Sequence, residues 1–409
     1  MAYTLTDLFC GGGGSSTGAT QIPGVVVRMA ANHWRLAVDV HNENHPHADH
    51  DCADLSQVDP RRYPRTDMLW ASPSCTQHSS ARGKTADTTD PAAERSRATM
   101  WDVQRFTEHH RYRMVLVENV CEVRRWAGFR GWRLALQDTG YCLHEAFLNA
   151  AHANQLGASA AQWRDRWFCL AHPKGTRCPD TARWTAPKAW CPCCEKRVDT
   201  YQAWKRPDQQ AGKYRAQYFY RCCTCRAVCE PHARAAAEVI DWSLPATRIG
   251  DRPRPLADRT MGRIRAGLER YGRTSLLVPA GGTWNDTSYP AAQPFRTRTT
   301  RESEGVLVPP PGPGLVVPYY SKGTAHDTRE PLMTVTTRDR AALIPEPAPR
   351  VEDCSFRMLG PREYAAAQHF PTSYVWRGTK REQVRMAGNA VPPNMARDLV
   401  GCAVESMNG

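Results

Sequence analysis

Short apolar runs recur through residues 1–170, separated by Gly-, Pro- and Asn-containing stretches, and they predict strands alternating with helices. Tyr3-Thr4-Leu5-Thr6-Asp7-Leu8-Phe9 reads as a first strand and Val25-Val26-Val27 as a second, with a helix from Trp34 to Asn44 after it. Met68 to Ala71 reads as the end of a further strand, Met114-Val115-Leu116-Val117 as a buried one, and Tyr141 to Asn149 as another. Gln162-Trp163-Arg164-Asp165-Arg166 alternates polar and large residues, and a period of two puts Gln162, Arg164 and Arg166 on one face. The pattern predicts an α/β, doubly wound core. From Leu276 onward short strands with Thr, Arg and Gly turns predict a smaller β-rich lobe, in which Leu277-Val278-Pro279 through Arg298-Thr299-Thr300-Arg301 is echoed by Val316-Val317-Pro318 through Val335-Thr336-Thr337-Arg338. Pro309-Pro310-Pro311-Gly312-Pro313-Gly314 reads as the linker between the two copies.

Composition narrows the class. A chain of 409 residues has room for two cores. No apolar run approaches the roughly 20 residues of a spanning helix, and the chain opens directly into a strand-like segment, so a soluble, intracellular protein without a membrane partner is expected. The net charge of +13 favours a polyanionic partner. Of 16 cysteines, eight crowd between Cys178 and Cys229, which suits metal better than a disulfide scaffold. Cys191-Pro-Cys-Cys194 and Cys222-Cys-Thr-Cys225 form two knuckles separated by 27 residues, the spacing of a closed tetrahedral zinc site with Tyr214, Tyr218, Phe219 and Tyr220 on an intervening ribbon. Cys178, Cys193, Cys223, Cys229, His172 and His232 are left over, so a second ion or alternate ligands stay open.

The candidate chemistry centres on Ser72-Pro73-Ser74-Cys75-Thr76-Gln77-His78-Ser79, where a strand end delivers a cysteine to a loop as a candidate nucleophile. Upstream lies Asp7-Leu8-Phe9-Cys10 followed by Gly11 to Gly14, glycines that let the backbone turn tightly and approach a ligand, with Ser15, Ser16 and Thr17 placed to cap the next helix. Downstream lie Glu118-Asn119-Val120 at a strand's carboxyl end and Gly388-Asn389-Ala390-Val391-Pro392-Pro393 opening a last helix. Ser80 to Arg97 is polar, carries Arg82, Lys84, Arg95 and Arg97, and has no apolar period.

These motifs, in this order, resemble the cytosine-C5 DNA methyltransferases, from about Tyr3 to Arg166 and again from about Phe356 to Val400. The resemblance implies a Rossmann-like, S-adenosylmethionine-dependent methyltransferase core. It implies Cys75 as nucleophile on cytosine C6, Glu118 steadying the ring edge at N3 and the exocyclic amine, and Arg164 and Arg166 as catalytic cations in a Gln-x-Arg-x-Arg motif. Asn119 is expected to hold the nucleophile loop, and the polar Ser80 to Arg97 segment to close over flipped-out DNA. For the cofactor it implies Asp7, Phe9, Gly11, Gly13, His33, Trp34, Asp54, Leu55, Pro73, Asn389 and Val391. Two departures stand out: Ser74 is inserted into the family's Pro-Cys, and Asn32-His33 replaces the acidic ribose contact. The implied organisation is a catalytic domain over residues 1–170, a zinc-ribbon-like insertion over 171–235, a target recognition region over 236–350, and a return to the catalytic domain over 351–409. Double-stranded DNA is the expected partner of a monomer, with a restriction endonuclease possible in the same system. The expected location is the cytoplasm, at the nucleoid, in a bacterial or phage setting. The rival readings are a zinc-containing DNA-binding protein with an altered core and a related cytosine alkyltransferase using a modified donor.

Overall fold

The structure, a computed structural model, describes residues 2–73, 91–281, 285–297, 303–310, 315–318, 326–327, 341–344 and 349–408, and of 91–98, 315–318, 326–327 and 341–344 the backbone alone. Cys75 and the first part of the polar segment, through residue 90, lie outside the described residues, while residues 91–97 of that segment form the start of a helix; the Thr-Arg parts of the internal repeat also lie outside. The chain divides into two compact units, residues 1–239 with 294–300 and 360–409, and residues 240–293 with 301–359.

The first unit is built on β1 (Tyr3–Leu8), α1 (Gly14–Ala19), β2 (Val25–Asn32), α2 (Arg35–Asn44), β3 (Asp49–Cys52), β4 (Met68–Ala71), α3 (Pro91–His110), β5 (Met114–Asn119), α4 (Phe129–Asp138), β6 (Tyr141–Asn149) and β7 (Asp165–Pro173). These strands form one sheet in the order β3-β2-β1-β4-β5-β7-β6, parallel except for β7, which runs antiparallel to both neighbours. Both faces are covered, which is why Met68 to Ala71 and Met114 to Val117 are apolar throughout instead of alternating. Met68, Trp70, Leu116 and Phe168 face one core with Met395, Leu399 and Val400. Leu69, Val115, Val117 and Trp167 face the other with Val103, Phe106, Trp132 and Leu136.

The end of the chain closes this unit through α7 (Pro361–Ala367), α8 (Lys380–Asn389) and α9 (Pro393–Asn408). Helix α9 is pinned by Asn394, whose amide donates to the carbonyls of Ala150 at 2.8 Å and Ala153 at 2.9 Å. It also packs on α1, and here the glycines serve differently from the ligand approach expected of them. A Cβ on Gly14 would lie 1.8 Å from the Val391 carbonyl oxygen, and one on Gly18 2.2 Å from that of Pro393. Gly14→Ala therefore forces backbone apart and is expected to destabilise the protein by about 3 kcal/mol. Urea denaturation checks this, with Gly262→Ala, where a Cβ meets nothing within 4 Å among the described residues, as the tolerated control. Ser15 and Ser16 do not cap α1: the N-cap is Gly13, without a side-chain bond, because both hydroxyls turn back to Asp7.

Within the same unit α5 (Thr181–Trp184) precedes the cysteine-bearing part. A hairpin of β8 (Ala189–Cys191) and β9 (Lys196–Val198) carries the first knuckle, and the second joins β11 and β12 in a sheet of β10 (Thr200–Trp204), β11 (Tyr218–Cys222) and β12 (Val228–Cys229). Tyr214, Tyr218 and Tyr220 do not stay on a separate ribbon; they bury against Trp163, Trp204 and the core beneath α3 and α4.

In the second unit β13 (Thr247–Arg248), β14 (Leu276–Pro279), β15 (Tyr289–Pro290), β16 (Glu304–Val308) and a strand over Ser355–Met358 pair antiparallel. Helix α6 (Asp258–Tyr271) covers them through Ile264 and Leu268 against Leu276, Val278, Leu307 and Phe356. A second sheet pairs Leu315–Pro318 with His326–Asp327 and Ala341–Ile344, so the strands that begin the two copies of the repeat are both present, in different sheets.

Candidate active site

Parallel β1, β2, β4 and β5 end on one edge of the sheet, and strand order reverses between β1 and β4, the place where open α/β sheets bind ligands. At this edge the chain leaves β1 with Phe9 in a left-handed conformation, φ 61°, a strained state for a side chain of this size. Cys10 returns its amide to the Ala31 carbonyl at 3.1 Å, and Gly13 its own to Cys10 at 2.9 Å. Gly11 and Gly13 have φ of 51° and 79°. Of the turn's glycines, Gly11 leaves most room where a Cβ would point, with the Phe9 carbonyl oxygen at 3.9 Å as its nearest neighbour among the described residues; Gly13 is filled by the Tyr374 hydroxyl. That hydroxyl donates to the Gly12 carbonyl at 2.7 Å, so residues near the chain's end brace the turn.

Beneath the turn Asp7 is fully buried and accepts from Ser15 Oγ at 2.6 Å and Ser16 Oγ at 2.7 Å, both on Oδ2. Ser16 Oγ also meets His41 Nε2 at 2.9 Å, and His41 Nδ1 meets His50 Nε2 at 2.8 Å. With the serine proton given to Asp7, each ring in turn donates through Nε2, a chain of donors aimed at the carboxylate. Desolvation still pushes Asp7 up to about 6, ahead of the lowering by the two serines. A carboxyl raised in the fold contributes stability that is fully present below its unfolded value of 3.8 and lost as pH rises through 6. Asp7→Asn lacks that titration, so the wild type is expected to lose about 3 kcal/mol relative to the variant between pH 4 and pH 7. Paired denaturation curves across that range measure the difference; a constant gap would show that Asp7 does not titrate there.

Of the catalytic candidates, Glu118 and Arg166 meet where β5 ends and β7 begins. Glu118, 8% exposed, receives Arg166 Nε at 2.8 Å on Oε1. The pair is diagonal across the antiparallel ladder, where Glu118 faces Phe168. Asn119 donates to the Pro73 carbonyl at 3.2 Å and accepts from the Val120 amide at 2.9 Å, tying the loop that leads to Cys75 to the end of β5. Arg164 is also buried, yet it points elsewhere: its two terminal nitrogens donate to the carbonyls of Gly388 and Ala390, each at 3.0 Å. Sequence spacing gave both arginines one role, whereas the structure makes Arg164 the brace of the last motif. Nor is Gln162 to Arg166 one strand, since β7 begins at Asp165 and Gln162 only bridges to Phe295.

The other cofactor candidates divide. Asn32 is spent locally, its Oδ1 accepting from the Trp34 amide at 2.9 Å, while His33 is exposed and Trp34 half-buried under the Arg385 guanidinium at 4.7 Å. Asp54 is exposed and caps the turn Leu55–Gln57 through the Ser56 amide at 3.2 Å; Leu55, next to it in the chain, is buried, and so is Pro73. Asn389 is exposed at the end of α8, and Val391 is a core residue. Away from this edge, the sulfurs of Cys191, Cys194, Cys222 and Cys225 lie within 4.8 Å of one another. The amides of Cys194 and Cys225 point at Cys191 and Cys222 Sγ, each at 3.4 Å, and Glu195 and Arg226 turn left-handed to allow it. A tetrahedral ion with bonds of about 2.3 Å needs sulfurs ~3.8 Å apart, close to the 3.9 Å between Cys194 and Cys222. The signals missed from sequence are the Tyr374 brace, the Asp7 network and the split of the arginines, all of them contacts between distant segments.

No curated protein sequence matches the chain significantly. Among solved structures, it is similar to a mutant of DNMT2 from Spodoptera frugiperda, with a TM-score of 0.57 at 13% identity over 98% of this chain and 100% of that one. Dnmt2 from S. pombe gives 0.57 at 15%, and a putative DNA modification methyltransferase encoded within an E. coli prophage gives 0.52 at 16%, both over the whole of each chain. At such identities the likeness establishes the fold. The family model of the C-5 cytosine-specific DNA methylases matches residues 3–211 and 275–403, taking in the glycine turn, the Glu118-Asn119 strand end, the arginine pair and the final motif. By that match, the chain belongs to the C-5 cytosine-specific DNA methylase family.

Proposed function

We propose that the protein methylates cytosine C5 in duplex DNA through a covalent bond between Cys75 and C6, with the target base flipped out of the helix. What carries this reading is the buried Glu118–Arg166 pair beside a loop that Asn119 ties down at Pro73, two residues before the cysteine. Cytosine C5 is a poor nucleophile, and addition of a thiolate at C6 makes the ring enamine-like. Cys75 forms that bond and later leaves as the C5 proton is lost. Glu118 steadies the N3 and amine edge, where a proton offsets the charge that develops, and Arg166 keeps its carboxyl in register. S-adenosylmethionine, when bound, supplies the electrophilic methyl group. The turn at Gly11 and the half-buried Phe9 and Trp34, which follow β1 and β2 at the switch point, suit such a ligand, and exposed Asp54 and Asn389 are proposed to contact it. The four cysteines are proposed to hold structural zinc, since four thiolates leave no position for water. The excess of cations and the second, strand-rich unit support a DNA partner read through its groove edges.

Incubation with mixed-sequence duplex DNA, and in parallel with RNA, in the presence of methyl-labelled S-adenosylmethionine tests the proposal. Nucleoside mass spectrometry is expected to find label on cytosine C5 of DNA within a short motif. Label confined to RNA would overturn the substrate, and label on another atom would overturn the chemistry.

A further inference from the structure

On the sheet edge opposite Glu118 three metal-binding side chains converge. His144 lies on β6 and His172 near the end of β7, diagonal neighbours on one face, because His172 pairs with Cys142 and His144 with Leu170. Their Nε2 atoms are 3.0 Å apart, with the rings stacked at 5.1 Å and 22°. Cys178, on the connection from β7 to α5, brings its sulfur within 4.8 Å of a ring nitrogen of each histidine.

The tautomer of His172 follows from its other nitrogen. Nδ1 lies 2.8 Å from Thr176 Oγ1 and 3.1 Å from the Pro173 carbonyl, and the threonine hydroxyl gives its own proton to that same carbonyl at 2.8 Å. Two acceptors therefore face Nδ1, which carries the hydrogen, and Nε2 offers a lone pair toward His144. This is the arrangement by which a second partner orients a metal-binding imidazole. A proton shared between the two Nε2 atoms accounts for their separation but not for the sulfur beside them. An ion accounts for all three: with Zn–N bonds of about 2.0–2.1 Å, tetrahedral nitrogens stand ~3.3 Å apart.

We infer that His144, His172 and Cys178 form a second metal site, separate from the four-cysteine cluster, for a borderline, thiol-tolerant divalent ion such as zinc. His172 is buried and half-buried His144 stands beside it, while exposed Cys178 gives the ion a route in. Binding fastens residues 174–180 to the sheet edge, on the path from the catalytic sheet to the cysteine-bearing part; Ser406 of α9 already holds that path by donating to the Arg177 carbonyl at 2.5 Å. Of the three residues His144 is the one sequence spacing could not nominate, since register alone brings it to His172.

Elemental analysis of the purified full chain tests this, with Cys178→Ser, His144→Ala and Cys222→Ser alongside and circular dichroism to confirm folding. Two equivalents of zinc are expected in the wild type and one in both Cys178→Ser and His144→Ala. Co2+ added to the wild type after partial chelation is expected to show a one-thiolate charge-transfer band that Cys178→Ser lacks. The exposed position of Cys178 keeps that variant foldable if His144→Ala is not. Wild-type metal content unchanged by Cys178→Ser, whether one equivalent or two, overturns the inference. A single equivalent lost in Cys178→Ser but kept in Cys222→Ser supports it and sinks the four-cysteine zinc site instead.

Discussion

Cys75→Ala is expected to lower methyl transfer by roughly 10^4-fold or more while leaving S-adenosylmethionine binding intact. The size follows from the chemistry: without addition at C6 the C5 carbon has too little electron density to take a methyl group, and no hydroxyl or water in the loop matches a thiolate as nucleophile. The selectivity follows from the architecture. Most of the cofactor candidates sit on β1 and the turns after β1, β2 and β3 and around the end of α8, and of them Pro73 alone shares the loop after β4 with Cys75, which follows it by two positions. Removing one sulfur leaves those turns, the Tyr374 brace and the Arg164 contacts as they are. Single-turnover methylation and equilibrium cofactor binding measured on one preparation separate the two effects. Product formed by the variant at the wild-type rate would remove Cys75 from the mechanism, and with it the assumption that Ser74 merely lengthens the loop.

The second large effect is expected at Arg166. Arg166→Ala leaves Glu118 nearly buried without its partner, and breaking such a pair typically costs about 3–5 kcal/mol because the remaining charge is uncompensated. Glu118 then swings toward solvent, and its edge no longer meets the ring. Turnover is expected to fall about 10^2–10^3-fold, with a smaller change in DNA affinity. Arg166→Lys restores charge without the planar fork and should recover only part of the loss. Because the two side chains work as a unit, Glu118→Gln combined with Arg166→Ala should cost little more than the worse single change. If Arg166→Ala lowers the melting temperature while kcat is preserved, Arg166 is a structural residue and the proposed site loses its cation.

Some of this was legible before any coordinates. Runs such as Met114 to Val117 are apolar at every position because the strand is covered on both sides, and that local fact already implies helices on both faces of a sheet. Glu118 and Asn119 were placed correctly at a strand's carboxyl end because the apolar run stops there. The two Cys-x-x-Cys knuckles were readable because their cysteines come in pairs close in sequence, so short-range geometry specifies each half.

What the residues by themselves could not decide is which of two similar groups does which task. Arg164 and Arg166 share a spacing, yet one braces carbonyls of Gly388 and Ala390 and the other meets Glu118, since their partners arrive from segments far away in the chain. The glycines of the first turn looked like ligand space; Trp376, Tyr374 and Val391 claim most of it, and Gly11 keeps the remainder. Ser15 and Ser16 had the right chemistry for a helix cap, but a buried carboxylate desolvated beneath them outcompetes that role. His144 acquires meaning only through the β6–β7 register. The sequence alone thus determined the elements, their alternation and the paired cysteines, all written in contacts within a few residues. The tertiary structure decided which buried polar groups satisfy one another, because that depends on long-range partners brought together only when the sheet is covered and the chain's end returns to its beginning.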